Sequence, residues 1–420
     1  MATPRAWLPP TLISLALVAA SLLLQYALFE EFPPFPYYDE VASVPSSRAI
    51  TTAPESVTKD HPPLVPYLMS LSEAVFGDNP TGWRFPARLC GALILPALFL
   101  IGLLLTGSLV GSTIGAGALL SDGLFITLSR AALLETPYVC FGMYALLIAL
   151  WGERQSGNTL PRVALIISGV LIGLSIACKW SGVFFIAPLT LIYLLSEQTS
   201  SIARQLSRIA IAPSIALAVY IGTTCALRTI SPHELLNQTL EMMQAHVNFV
   251  QPHRYASSAW GWPVLARPIW FGYTKLPYLA EDGTQAVRGT ICLGNPAVFL
   301  VTGLSMLWLV VVGVRNASQR CLVLAPLVPV VGYLACWLPW IILSSRKGFL
   351  YYFFPSLAFA CLGLGICCAT LYRQGRAGKT ACGIVVAVML GCMIAYLPLY
   401  VGAPVSKAQT QLLILKESWW

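Results

Sequence analysis

The chain has 420 residues, of which 57% are hydrophobic and 10% charged. No soluble globular domain can bury that much apolar surface, so the composition points to an all-α polytopic membrane protein, whose helices satisfy their own backbone hydrogen bonds in lipid. The net charge of +8 comes from basic residues scattered among apolar runs, which argues against a nucleic-acid partner.

The apolar runs predict about 11 transmembrane helices, at residues 7–29, 86–106, 110–129, 135–152, 162–178, 182–196, 208–226, 296–314, 322–344, 349–371 and 381–402. The first run is too long for the apolar core of a secretory leader, and no small-x-small cleavage site follows it, so it reads as a retained span. With the N-terminus in the cytoplasm, the short cytoplasmic connections collect Arg154, Arg162, Arg208, Arg315, Arg373 and Arg376 among other basic residues. Opposing them are only Glu153 and Glu197. This is the positive-inside bias. The opposite face then carries two long external loops, residues 30–86 and 227–295, both rich in Trp, Tyr and Pro. Loops of that length are uncommon unless functional. No repeat or low-complexity tract divides the chain, which reads as a single membrane domain over residues 1–420 with two external elaborations. The 12 cysteines lie mostly inside apolar runs and lack C-x-x-C or Cys/His spacing, so neither disulfides nor a zinc site is expected.

In chain order, the first candidate for chemistry is Tyr37-Tyr38-Asp39-Glu40. Adjacent side chains on a helix point about 100° apart. Only one of the two acids can therefore aim at a given substrate atom. One reading is a general base with a supporting carboxylate; the other is a pair of solvated loop acids. Lys59-Asp60-His61-Pro62-Pro63-Leu64 follows, and its prolines would hold His61 rigidly. Arg84 and Arg88 stand at the mouth of the second span, Arg130 closes the third, Lys179 closes the fifth, and Arg346-Lys347 precede the tenth. Basic residues on the external face run against the positive-inside preference, and an anionic lipid headgroup is an economical reason for them. Their plain alternative is interfacial anchoring. Asp122, inside the third span, is expected to face the protein interior with one of these cations as candidate partner. The second external loop carries His253-Arg254-Tyr255 and Trp260-Gly261-Trp262-Pro263, which suit stacking on a sugar or peptide, or an aromatic belt. His233, His246 and His253 are spaced 13 and 7 apart, which fits no common metal motif, so no metal is expected.

Taken in order, these motifs resemble those of the protein O-mannosyltransferases, members of the multi-spanning C-type glycosyltransferase superfamily. Tyr38-Asp39-Glu40 is similar to the family's Asp-Glu motif, and Asp60-His61-Pro62-Pro63-Leu64 to its His-Pro-Pro-Leu motif. Asn79-Pro80 with Gly82-Trp83-Arg84-Phe85 is similar to the entry into the second span. Ser129-Arg130 with Leu133-Leu134 resembles the Ser-Arg…Leu-Leu-Asp stretch, and Lys179-Trp180-Ser181-Gly182 the Lys-Trp-(Ser/Thr)-Gly motif. His253-Arg254-Tyr255, Trp262-Pro263, Arg267-Pro268 and Leu293-Gly294-Asn295-Pro296 resemble the bacterial branch. Two departures stand out. Val65-Pro66 replace the usual Gly-Lys, and Glu135 stands where Asp is usual.

The resemblance implies the C-type glycosyltransferase fold and transfer of mannose from a polyprenyl-phosphate donor to Ser or Thr hydroxyls of secreted or membrane proteins. It implies Asp39 as base with Glu40 in support, and Arg84, Lys179, Arg346 and Arg130 as candidates for the donor phosphate. His61, His253, Tyr255 and Trp262 would line the substrate loops. The implied partners are the lipid donor, an acceptor polypeptide and the bilayer, with the secretion machinery or a homologous subunit as further candidates. No metal or cofactor is implied, the anomeric configuration would invert, and the site would face outward from a plasma membrane. Three alternatives are a transferase for another lipid-linked sugar (aminoarabinose to lipid A, for example), a transporter or flippase, and a noncatalytic partner. Charges gathered at one interface, without repeated halves, argue against transport. Retention of Asp39 argues against the noncatalytic partner.

Overall fold

A spanning backbone in lipid must satisfy its own hydrogen bonds, and the apolar runs accordingly fold as helices. The computed structural model describes residues 4–27, 33–57, 59–195, 201–248, 253–273, 278–279, 285–319, 322–342 and 348–419. Helix α1 (Pro4–Leu22) ends in a π-turn (Leu23–Ala27). Two short helices, α2 (Glu40–Ala49) and α3 (Leu64–Phe76), build the segment expected as the first external loop. Helix α4 (Pro80–Thr106) starts where Asn79 accepts from the Thr81 and Gly82 N–H groups, with Pro80 at the first helical position. Next come α5 (Leu109–Leu120), α6 (Gly123–Ser129), α7 (Glu135–Gly152) and α8 (Thr159–Cys178). A 3₁₀ turn (Trp180–Phe185) leads into α9 (Ile186–Leu194), followed by α10 (Ile202–Arg228) and α11 (Pro232–Asn248).

The second external segment then forms a 3₁₀ turn (Ala259–Val264) and four short strands. These are β1 (Ile269–Tyr273), β2 (Tyr278–Leu279), β3 (Gln285–Val287) and β4 (Gly289–Cys292). Strands β1 and β4 pair antiparallel, with the register slipping between Trp270 and Gly272 so that Phe271 is the extra residue of a bulge. The chain returns to the membrane as α12 (Pro296–Ser318), α13 (Leu324–Ile342), a 3₁₀ turn (Leu350–Phe353) with α14 (Phe354–Tyr372), and α15 (Arg376–Val401). Strand β5 (Val405–Ser406) joins β3, and α16 (Lys407–Leu413) follows.

Among the described residues, eight helices are long and apolar enough to cross a membrane, and nine if the bent pair α5 and α6 is one span. The expected count of about 11 also included residues 135–152 and 182–196. The first of these is α7, and the second is the shorter apolar segment of the 3₁₀ turn with α9. The expected span at 110–129 is broken, with α5 and α6 meeting at 63°.

Helix α14 is apolar all round and buried from Phe354 to Ala369, as a helix at the centre of a bundle should be. It touches α5, α12, α13 and α15. Its approach to α5 relies on small residues. A Cβ added at Gly111 would lie 2.5 Å from the Gly365 carbonyl oxygen, and one at Gly115 2.8 Å from that of Cys361.

The break between α5 and α6 is held by Asp122, which is paired otherwise than expected. Its Oδ1 accepts from the Leu124 N–H at 2.8 Å, capping α6, and its Oδ2 accepts from the Asn295 N–H at 2.8 Å. Asn295, fully buried, caps α12 through Oδ1 and donates through Nδ2 to the carbonyls of Ser121 and Met389, both at 3.0 Å. Two turns distant in sequence are thereby fixed to each other and to α15. Asn295→Ala is expected to remove the cap and both side-chain donors, at about 2 kcal/mol. A lower thermal midpoint in detergent would be the readout, and an unchanged midpoint would contradict this role.

Candidate active site

The site forms where the first external segment turns into α2. Glu40 donates its N–H to the Tyr37 carbonyl at 3.0 Å, and the Asp39 carbonyl accepts from Ala42 and Ser43, each at 3.1 Å. Tyr38, at the corner, has φ of 52°, a left-handed conformation that is rare for a bulky residue outside functional turns. The corner sends the two adjacent acids to opposite destinations.

Glu40 goes inward. It is fully buried and accepts from Arg84 through Nε to Oε1 and Nη2 to Oε2, both at 2.8 Å. It also accepts from the Ala132 N–H at 2.7 Å and the Tyr37 N–H at 3.3 Å. Arg84 is itself 1% exposed, donates to the carbonyls of Pro33 and Phe35, and lies 5.0 Å from the centre of the Tyr37 ring. The sequence marks Arg84 as a candidate phosphate ligand. The structure instead commits its guanidinium to Glu40, because a buried carboxylate needs a buried cation.

Asp39 goes outward, into a cavity of about 340 Å³ lined by residues from both external segments and the membrane helices. Tyr351 Oη donates to Asp39 Oδ2 at 3.0 Å. By surface area the residue is exposed, while the surrounding protein, Glu135, Tyr351 and Lys179 included, crowds its carboxyl. Burial, and next the charge of Glu135, push the Asp39 pKa up to about 6, against the opposing effects of the Tyr351 hydrogen bond and Lys179.

On another wall of the cavity, Lys179 donates to Glu135 Oε1 at 2.5 Å and stands 4.6 Å from the centre of the Tyr352 ring. Burial alone would lower its pKa, but Glu135, Tyr352 and Asp39 together hold it above its ordinary value, so the ammonium stays charged. Lys179 is positioned by a change of helix type: its extended backbone separates α8 from the 3₁₀ turn that follows. Asp60, His61 and Pro62 form another wall. That loop is anchored from α10, where Arg228 Nη2 donates to the His61 carbonyl at 2.9 Å. His253 lines the mouth, with its ring 4.9 Å from Phe349 and 6.3 Å from Tyr38.

The structure therefore brings together Asp39, Lys179, His61 and His253 among the residues the sequence singles out. It places others elsewhere. Arg130 donates to the Gln25 carbonyl at 2.6 Å and does not line the cavity. Trp262 is buried in the second external segment, donating to Ser257 Oγ and packing edge-on against Tyr352 at 6.1 Å. It supports a cavity wall from behind. Tyr255 stands behind His253 at 5.9 Å. Arg346 lies outside the described residues. Glu135, Tyr351 and Phe349 also line the cavity, although the sequence assigns none of them a role in the site. The signals for the first two were their places beside known motifs: Glu135 opens a span just after Ser129-Arg130, and Tyr351 follows Arg346-Lys347. Among the described residues, no group of three His, Cys, Asp or Glu side chains is arranged to hold a metal ion.

Two family models match the chain. One, described as dolichyl-phosphate-mannose-protein mannosyltransferase, matches residues 60–224. The other, described as the C-terminal four TMM region of protein-O-mannosyltransferase, matches residues 233–419. The polyprenol-phosphate-mannose–protein mannosyltransferase of Mycobacterium tuberculosis is 25% identical over 99% of this chain and 92% of its own length. The enzyme of that name from Corynebacterium glutamicum is 23% identical over 86% of this chain and 81% of its own. Among solved structures, the S. cerevisiae protein O-mannosyltransferase Pmt1-Pmt2 complex bound to the sugar donor has the same fold, with a TM-score of 0.83 at 12% identity, covering 100% of this chain and 93% of that one. ArnT from Cupriavidus metallidurans bound to undecaprenyl phosphate superposes with a TM-score of 0.61 at 14% identity, over 94% of this chain and 66% of its own.

The Glu40–Arg84 pair carries a direct expectation. Arg84→Met leaves a buried carboxylate uncompensated, a change that typically costs about 3–5 kcal/mol. The protein should express poorly or melt well below wild type, and adding Glu40→Gln should recover part of the loss. A single variant with wild-type melting would contradict the pairing.

Proposed function

The chain belongs to the protein O-mannosyltransferase family, and on that premise we propose that it transfers mannose from a polyprenyl-phosphate donor to a Ser or Thr hydroxyl of a secreted or membrane protein. The single observation that carries this reading is that Asp39 and Lys179 line one cavity. A base and a cation on one cavity suit a displacement that releases a lipid phosphate.

In this reading the isoprenoid lies among the spans and its phosphate meets the Lys179 ammonium. The acceptor hydroxyl attacks the anomeric carbon, its proton passes to Asp39, and the bond from that carbon to the phosphate oxygen breaks. One displacement at carbon inverts the configuration. The departing phosphate is a stable anion, so charge stabilisation by Lys179 serves it better than protonation. That role can be filled without a metal. Glu135 holds Lys179 in place, and Tyr351 holds the Asp39 carboxylate. Glu40 supports the base from beneath by fixing the turn, with Arg84 as its partner.

The bias of Lys and Arg toward the other face supports an outward-facing site in a plasma membrane. The whole chain would work as one membrane domain, with external segments 30–86 and 227–295 forming the acceptor side. His61 and His253, at the mouth, would meet the acceptor.

Purified protein given radiolabelled polyprenyl-phosphate mannose and Ser/Thr-rich peptides should label peptide. Asp39→Asn should lower kcat by about 10²–10⁴-fold, the usual contribution of a positioned base. No transfer by wild type across a peptide panel would sink the mannosyltransferase reading, and undiminished transfer by the variant would sink the role of Asp39.

The base form of Asp39 dominates above pH of about 6, so kcat/KM should fall as pH drops through that value. The Tyr351 hydrogen bond stabilises the carboxylate. Tyr351→Phe should therefore move the acid limb to higher pH. A shift in the opposite direction would contradict the contact.

A further inference from the structure

The last turns of the chain form a strap over the second external segment. Three consecutive carbonyls there, of Val264, Leu265 and Ala266, accept from Lys416 Nζ at 2.8 Å, Trp419 Nε1 at 2.7 Å and Ser418 Oγ at 2.7 Å. The carbonyl of Trp419 in turn accepts from Trp270 Nε1 at 2.9 Å. Both indoles are buried, at 2% and 6% exposure, so each bond is shielded from water. The Leu413 carbonyl accepts from Tyr396 Oη at 2.7 Å, which ties the strap to α15 as well.

Trp270 is the residue before the β1 bulge. A bulge re-aims the side chain it carries, and the residue that opens out here is Phe271. Its ring lies 4.7 Å from that of Tyr38, 6.1 Å from Tyr37 and 6.2 Å from Tyr351. Phe271 therefore packs on the strained corner that aims Asp39 and on the tyrosine that donates to it. An aromatic wedge on a left-handed non-glycine corner is the kind of outside support that such a conformation requires.

We infer that the strap residue Trp419 is a positioning residue for Asp39, acting through Trp270 and the bulged Phe271 to seat Tyr38. The path is continuous: strap, indole, bulge, corner, carboxylate. Trp419 does not line the cavity, where the charged and titratable groups around the Asp39 carboxyl are Tyr351, Glu135 and Lys179, with Asp60, His61 and His253 on the other walls. The inference rests on the reading of Asp39 as the base.

Two conservative variants test it. Trp419→Phe removes the donor to Leu265 and keeps an aromatic ring, while Trp270→Phe removes the donor to the Trp419 carbonyl. Each should lower kcat about 10–100-fold, as small misplacements of a catalytic group do, with the donor KM unchanged. Each should also move the acid limb of kcat/KM to lower pH, because a loosened corner admits water to Asp39. Hydrogen exchange at residues 37–43 should quicken in both. Exchange needs no turnover, so it decides the inference even if wild type transfers no mannose and the proposed function itself fails. Wild-type kcat and acid limb in both variants would overturn it. So would faster exchange confined to residues 264–273, which would leave the strap a local staple only.

Discussion

The buried contact between Glu40 and Arg84 is the constraint on which the site depends. Glu40 accepts from Arg84 twice, from the Ala132 N–H, and from the Tyr37 N–H. Those donors belong to α4, to the turn before α7, and to the first external segment itself. One carboxylate thus draws three separate pieces of chain to a single point. A charge so deeply placed is tolerated only when it is fully paired, so the three pieces are held in register wherever the protein is folded.

Asp39 gains its character from that anchor. The corner at Tyr38 follows from the anchor on one side and from the aromatic wedge of Phe271 on the other. It turns one acid of an adjacent pair into the core and the other into the cavity. The two carboxylates then differ in chemistry although they are neighbours in sequence. The inward one is held by a cation and two amides. The outward one is held by a single phenol and sits near a second carboxylate and a lysine, with a raised pKa that leaves it a base at neutral pH.

The sequence made the membrane class legible, because long apolar runs are local signals, and it singled out the adjacent acids Asp39 and Glu40. The break between α5 and α6 was not legible. It depends on Asp122 meeting the Asn295 N–H, a contact across 173 positions. The roles of the cations were also out of reach. Arg84, Arg130 and Lys179 all stand at span mouths, and only tertiary structure shows Arg84 paired with Glu40, Arg130 on the Gln25 carbonyl, and Lys179 at the cavity. Trp262 read as a stacking surface because aromatic composition does not distinguish a ring facing a ligand from one bracing the wall behind it. The strap was invisible for a similar reason: its hydrogen bonds reach back about 150 positions, onto backbone carbonyls that carry no sequence signature.

In the proposed reaction, one cavity holds the base and the phosphate cation on either side of the reacting carbon. A structure of the Asp39→Asn protein with polyprenyl-phosphate mannose in lipid nanodiscs tests it most directly. The phosphate is expected within hydrogen-bond reach of Lys179 Nζ and the anomeric carbon facing the side chain at position 39, with the Glu40–Arg84 pair intact. A donor phosphate seated on Arg84, or a sugar turned away from position 39, would contradict it.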